Sequence, residues 1–176
     1  LQASSPPYDF AVRGQNWGFP TYHLERVAAD GFEWWHKRFI QMSNYFDAFR
    51  IDHILGFFRI WSIPVHSVEG IMGTFVPAIP VRLHEFEQWG IWFNHQRYCR
   101  PFINDSILWE MFGPNKEKFK PYLLDTGDGH FHLKPEFHTQ RQVDDHFARL
   151  EDSEHNMHIR QALFHLISNL ILFEQP

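Results

Sequence analysis

Two charged residues set inside an apolar, aromatic run are the part of this sequence best suited to chemistry. Phe46 to Trp61 reads FDAFRIDHILGFFRIW, with Arg50, Ile51, Asp52 and His53 at its centre. The alternation over Ala48–Asp52 predicts a short strand. Its period of two puts Ala48, Arg50 and Asp52 on one face and Phe49 and Ile51 on the other. Arg50 and Asp52 would then lie roughly 6.6 Å apart along the strand, near enough for the guanidinium to keep the carboxylate ionised in a partly buried place. Such a carboxylate suits a nucleophile or an electrostatic stabiliser. The competing reading is a structural ion pair at a strand end.

A second stretch stands some thirty residues earlier. Gly14 to Tyr22 reads GQNWGFPTY, where two glycines and a proline bracket a Trp and two amides. That composition predicts a shaped loop rather than a helix or central strand. An exposed Trp17 can stack on a pyranose face while Gln15 and Asn16 take hydroxyls. Alternatively, Trp17 only packs.

These two motifs, in this order and spacing, resemble those of the 4-alpha-glucanotransferases (amylomaltases, disproportionating enzymes) of glycoside hydrolase family 77, in the alpha-amylase clan. The likeness is closest to the branch with a long insertion inside the catalytic barrel, which acts on maltose and branched glucans. The motif-bearing part covers about Pro7 to Pro64; the rest resembles only that insertion. The resemblance implies that Asp52 is the nucleophile, with Arg50 beside it. It implies that Trp17 lines the substrate cleft, with Gln15, Asn16 and Tyr22 as further substrate contacts. His53 resembles a substrate-hydroxyl contact, against the alternative of a structural imidazole. The implied reaction is attack on the anomeric carbon of an α-1,4-glucan, giving a covalent glucosyl-enzyme that the 4-hydroxyl of a second sugar resolves.

Retaining chemistry needs a second carboxyl about 5 to 5.5 Å from the first. In the family the acid/base Glu sits at a Glu-Asp-Leu-Gly type strand end and a third carboxylate follows later, and neither motif occurs in this sequence. Glu85, Glu87, Glu110 and Glu117 fall on polar faces of predicted helices, where a carboxylate is solvated. The chain by itself is therefore expected not to transfer glucosyl units. Two rivals remain: a glucan hydrolase of the amylase type, and a non-catalytic carbohydrate-binding or interaction module. Pure binding offers no clear need for Arg50 beside Asp52.

The elements that must position these residues follow from periodicity. Leu1 to Tyr8 reads as a loop or incoming linker. Asp30 to Tyr45 reads as a helix, with Asp30 as cap, Glu33 in a capping-box position, and a core stripe of Phe32, Trp35, Phe39, Met42 and Phe46. Helix followed by strand is an αβ step, and Asp52 and His53 fall at the strand's C-terminal end, where barrel enzymes place reactive groups. Arg59 reads as a packing or surface arginine. Val65 to Pro80 is an irregular connector. Beyond it, helices are expected over Val81–Trp89 and Asn104–Phe112, a hairpin over Tyr122–Leu124 and His130–Leu133, and a Ser153-capped helix from Glu154 to Phe173.

The expected fold class is thus α/β. Residues 1–64 are read as a slice of a (β/α)8 TIM barrel carrying the nucleophile strand, and residues 65–176 as a mainly helical insertion within the barrel. At 176 residues the chain is shorter than the about 250 a whole barrel takes, which predicts an internal fragment working with the remainder of a parent chain. A net charge of −5 with no basic run excludes an electrostatic footprint for nucleic acid or an anionic membrane, and a neutral glucan or malto-oligosaccharide fits better. No apolar run is long enough to span a bilayer. The single Cys99 excludes an internal disulfide and points to reducing, cytoplasmic surroundings. Thirteen histidines invite a metal. His130 with His132 on a strand, and His155 with His158 on a helix, form pairs without a third ligand at motif spacing, so neither metal nor cofactor is expected.

Overall fold

A computed structural model of the chain describes residues 1–174; Gln175 and Pro176, part of the expected C-terminal segment, lie outside the described residues. Strands β1 (Gln2–Ser5), β2 (Gln15–Pro20), β3 (Ile60–Ile63) and β4 (Thr74–Val76) form an antiparallel sheet in the order β2-β1-β3-β4. Between β2 and β3 lie helices α1 (Leu24–Ala29) and α2 (Glu33–Ser43) and a 3-10 turn, Ile54–Phe57. The second half holds α3 (Leu83–Gln88), α4 (His95–Cys99), α5 (Asp105–Phe112), α6 (Gln140–Phe147) and α7 (Glu154–Ile167). It also holds a second antiparallel sheet of β5 (Ile103–Asn104), β6 (Leu123–Asp125) and β7 (His130–Leu133), in the order β5-β7-β6. The protein is mixed α/β, and every strand pairing among the described residues is antiparallel.

The main core lies in the second half. Leu108, Phe119, Val143, Leu163, Phe164 and Leu166 are fully buried there, and the rings of Phe112 and Phe119 stack with centroids 3.8 Å apart. Two of the caps are at helix starts the sequence announces, and the third, at Thr139, starts a helix that it did not. Asn104 accepts from the Ile107 amide, Ser153 from the Asn156 amide, and Thr139 forms a capping box with Gln142. Each such cap contributes about 1 kcal/mol.

Several expectations are corrected. The polar start of the chain is no linker: Gln2–Ser5 is an inner strand of the first sheet, where Ala3 and Ser4 are buried because small side chains fit beneath its neighbours. Val65–Pro80 is not wholly irregular, since β4 within it pairs with β3. The expected helix over Asp30–Tyr45 is Glu33–Ser43, preceded by the separate α1, which His23 caps by accepting from the Arg26 amide. Asp30 still serves as foreseen, its Oδ1 accepting from the Glu33 amide at 3.2 Å. The long C-terminal helix ends at Ile167 with Ser168 as its C-cap.

The aromatic stripe of α2 is not core. No residue of α1 or α2 is buried, and Phe32 and Phe46 are exposed, while Trp35, Phe39 and Met42 are half-covered. Periodicity tells a helix which face is apolar, and only a neighbouring element can cover it. The cover here comes from Phe49, stacked on Phe39 at 5.2 Å, and Phe57, 4.8 Å from Trp35.

Candidate active site

Residues 48–52 are not a strand. They run as irregular chain with a bend at Asp52, held to α2 by the Phe39–Phe49 stack rather than by a sheet ladder. Without a partner strand to supply backbone hydrogen bonds, local β-propensity alone does not make a strand. Phe49 and Ile51, the apolar face of the expected strand, are 46% and 41% exposed. Arg50 and Asp52 do face one another, Nη2 donating to Oδ1 at 3.4 Å, with side chains 88% and 90% exposed. So exposed a pair is screened by water, and its worth lies in orientation rather than stability.

His53 follows with φ +55 and ψ 51, a left-handed conformation unusual outside glycine. Holding a non-glycine residue there costs on the order of 1 kcal/mol. The strain accompanies a turn that carries the imidazole back over the chain: Gly56 donates its amide to the His53 carbonyl at 2.9 Å, and a Cβ on Gly56 would stand 3.1 Å from His53 Cδ2. Gly56 thus leaves room for the ring.

The second motif reaches the same place. It is a strand, not the loop expected, but an edge strand with a bulge. Ala3 pairs with Phe19 and Ser4 with Asn16, so Trp17 and Gly18 are extra residues on β2. Gly18 supplies φ +72 and donates to Asn16 Oδ1 at 2.8 Å. Edge position is also what admits Pro20. The bulge turns the Trp17 indole outward, 36% exposed, where Nε1 donates to Gln15 Oε1 at 3.2 Å. Its ring meets that of His53 edge to face, centroids 5.8 Å apart at 88°.

Trp17, Gln15, Asn16 and His53 are therefore brought together beside Asp52 and Arg50. Tyr22 is not part of that group; it packs on Trp34 and Trp35 at 5.8 and 5.3 Å. Arg59, read as a packing arginine, lies over the Phe75 ring at 4.6 Å. Sequence reasoning passed over Gly56 and the part-buried pair Arg13 and Glu69, which ties the start of β2 to the Val68–Glu69 turn. The position of Gly56, three residues after His53, was the available sign; Arg13 and Glu69 carried none.

Among the described residues, no group of three or more His, Cys, Asp or Glu is placed to hold a metal ion. The site itself is an open surface. A half-open pocket of about 690 Å³ lies elsewhere, lined by His66, Gln96, Cys99, His132, His138 and Leu170 among others.

A mixed α/β protein in which an exposed carboxylate and guanidinium adjoin, in the chain, an imidazole that meets an indole invites comparison with carbohydrate-active families. The model of glycoside hydrolase family 77, described as 4-alpha-glucanotransferase, matches residues 1–163, and the chain belongs to that family. It is 38% identical over 180 aligned residues to the 4-alpha-glucanotransferase DPE2 of rice, Oryza sativa subsp. japonica, covering 98% of this chain and 19% of the relative. The 4-alpha-glucanotransferase of Synechocystis is 41% identical over 78 residues, covering 44% of this chain and 15% of that protein. The chloroplastic/amyloplastic 4-alpha-glucanotransferase of potato, Solanum tuberosum, is 41% identical over 68 residues, 39% of this chain and 12% of its own length. The chain thus spans about a fifth or less of the curated relatives it matches. No solved structure matches it.

Proposed function

We propose that this chain contributes the nucleophile and part of the donor cleft to a 4-alpha-glucanotransferase that moves α-1,4-glucan segments between malto-oligosaccharides. The carrying observation is the meeting of the two motifs: the Trp17 ring touches His53, the residue after Asp52, although 36 positions separate them in the chain. Asp52 attacks the anomeric carbon and the bond to the leaving glucan breaks, giving a covalent glucosyl-enzyme. Arg50 orients the carboxylate, His53 binds a sugar hydroxyl, and Trp17 supplies a stacking face with Gln15 and Asn16 at its edge. Tyr22 serves at most the outer cleft, through the Trp34 and Trp35 cluster.

The leaving oxygen needs a proton, and no acid/base carboxyl is assigned within this sequence. Residues 1–64 are read as a piece of a (β/α)8 catalytic domain whose remaining elements cover α1, α2 and the apolar run to Phe58, and residues 65–176 as an insertion within it; the antiparallel β1–β4 sheet, which crosses that boundary, then lies outside the parallel barrel itself. Two observations support this: the undercovered aromatic face of α2, and the contrast between a rice relative matched along 98% of the chain and a cyanobacterial one matched along 44%. A reducing compartment such as the cytoplasm suits the lone Cys99.

The test is product analysis with maltotriose, using an enzyme that contains these residues within a chain of the relatives' length. A ladder of longer oligomers is expected. Glucose and maltose alone would replace transfer by hydrolysis, and no conversion would leave a binding module.

A further inference from the structure

We propose that Arg13 and Glu69 are positioning residues: through them the helices of the second half set the placement of the Trp17 strand, and with it the hold on a glucan chain at Trp17. The glucan part rests on the function proposed above; the mechanical coupling does not.

The Glu69 carboxylate, 11% exposed, gathers donors from segments far apart in sequence. Arg13 Nε and Nη2 reach Oε2 at 3.1 and 2.6 Å, Gln140 Nε2 reaches the same oxygen at 2.8 Å, and Gln161 Nε2 reaches Oε1 at 2.9 Å. Gln140, the first residue of α6 and itself 1% exposed, uses its Oε1 to accept from the Val68 and Glu69 amides, both at 2.9 Å. Arg13 Nη2 also donates to Ser168 Oγ, at the end of α7, at 2.7 Å. The start of β2, the Val68–Glu69 turn, α6 and α7 therefore converge on one carboxylate.

Desolvating a charged pair is an inefficient way to gain stability, and apolar side chains would join the same elements at lower cost. Direction is what the polar network adds: each donor fixes an angle as well as a distance, and the bonds reinforce one another away from water. The backbone leaves no slack either. Ile71 donates its amide to the Arg13 carbonyl at 2.8 Å, and a Cβ on Gly14 would stand 2.9 Å from Gly70 Cα. Trp61 Nε1 donates to the Gly70 carbonyl at 2.7 Å, so β3, which follows the Asp52–His53 run, is tied to the same point. Both motifs are fastened where the helices of the second half dock.

Gln161, on α7, tests the coupling, because it reaches β2 only through Glu69 in this network. The 176-residue chain is labelled with fluorotryptophan, and the Trp17 fluorine resonance is assigned with Trp17→Phe. In Gln161→Ala and in Arg13→Ala the Trp17 resonance is expected to move, while the far-ultraviolet circular dichroism and the cooperative unfolding transition stay in place and report an intact fold. Arg13→Lys keeps the charge but loses the fork, so it should restore part of the Arg13→Ala shift. A Trp17 resonance unmoved in folded Gln161→Ala and Arg13→Ala chains overturns the coupling.

In the longer enzyme the same variants should raise KM for maltotriose about 2- to 30-fold with kcat little changed. An unaltered KM beside a moved Trp17 resonance overturns the specificity role. An enzyme without transfer activity beside a moved resonance refutes the proposed function and leaves the coupling standing.

Discussion

Replacing Gly70 by alanine probes the seat of the Trp17 strand directly. The new Cβ would lie 2.3 Å from the Ser5 carbonyl oxygen, 2.6 Å from the Gln15 amide nitrogen and 2.8 Å from the Gly14 carbonyl carbon. All three are backbone atoms, so no side chain can swing aside. Relaxed contacts lie near 3.5 Å, and the shortest of these must open by about 1 Å. Ser5 and Gln15 are also paired across β1 and β2, so moving either weakens the ladder. Overpacking of this kind costs about 1–3 kcal/mol and a strained backbone hydrogen bond about 0.5–1.5 more, which gives about 1.5–4.5 kcal/mol in sum. Urea unfolding followed by tryptophan emission should show a lower midpoint at unchanged slope. Gly18→Ala serves as the contrast: nothing stands within 4 Å of its Cβ, but its φ of +72 should cost about 1–2 kcal/mol. A Gly70→Ala chain within about 0.5 kcal/mol of the parent would refute the close seating of residues 13–15 on Gly70.

Three further outcomes follow from the same contacts. Leu163→Ala, at a position with no exposure on α7, should cost about 2–5 kcal/mol in urea unfolding, whereas Phe58→Ala, 70% exposed, should stay within about 0.5. Trp17→Ala in the longer enzyme should weaken malto-oligosaccharide binding by about 1–3 kcal/mol in titration calorimetry, and unchanged affinity would return Trp17 to a packing role. His165, still open to solvent, is held below its ordinary value of 6.5 first by partial burial and then by the nearby Arg13 charge, with Glu69 opposing, so its effect is damped by water. The unfolded chain therefore takes up that proton first as pH falls. The His165 contribution to stability is intact above 6.5 and declines below it, and His165→Gln should flatten the fall in melting temperature between about pH 7 and 5; an unchanged profile would assign the acid sensitivity elsewhere.

Local signals were legible wherever the chain satisfies itself locally. Asn104 and Ser153 cap their helices because a side-chain oxygen needs only the amide three residues on. The Asp125–Gly129 turn closes its hairpin for the same reason, with Gly127 and Gly129 at positive φ. What failed depended on partners. Ala48–Asp52 has the composition of a strand and no neighbour to pair with, while Gln2–Ser5 has the composition of a linker and two neighbours that make it one. The α2 stripe was read correctly as a face and wrongly as a core, because burial belongs to what packs against a helix. Of the site, the two motifs were legible, but the bulge that turns Trp17 toward His53 needs the β1–β2 register, which no residue of GQNWGFPTY announces alone. The Glu69 network was invisible for the same reason: its members lie up to 155 positions apart.

The central claim is that Asp52 is the nucleophile. The most direct measurement is initial-rate transfer from maltotriose by the longer enzyme and by its Asp52→Asn variant, an isosteric change at a side chain 90% exposed, where no fold loss is expected. The rate should fall by at least about 10⁴-fold, the scale found when a nucleophile or its partner is removed, with melting temperature unchanged. An Asp52→Asn enzyme that still builds the oligomer ladder at a rate near that of the parent would contradict the assignment.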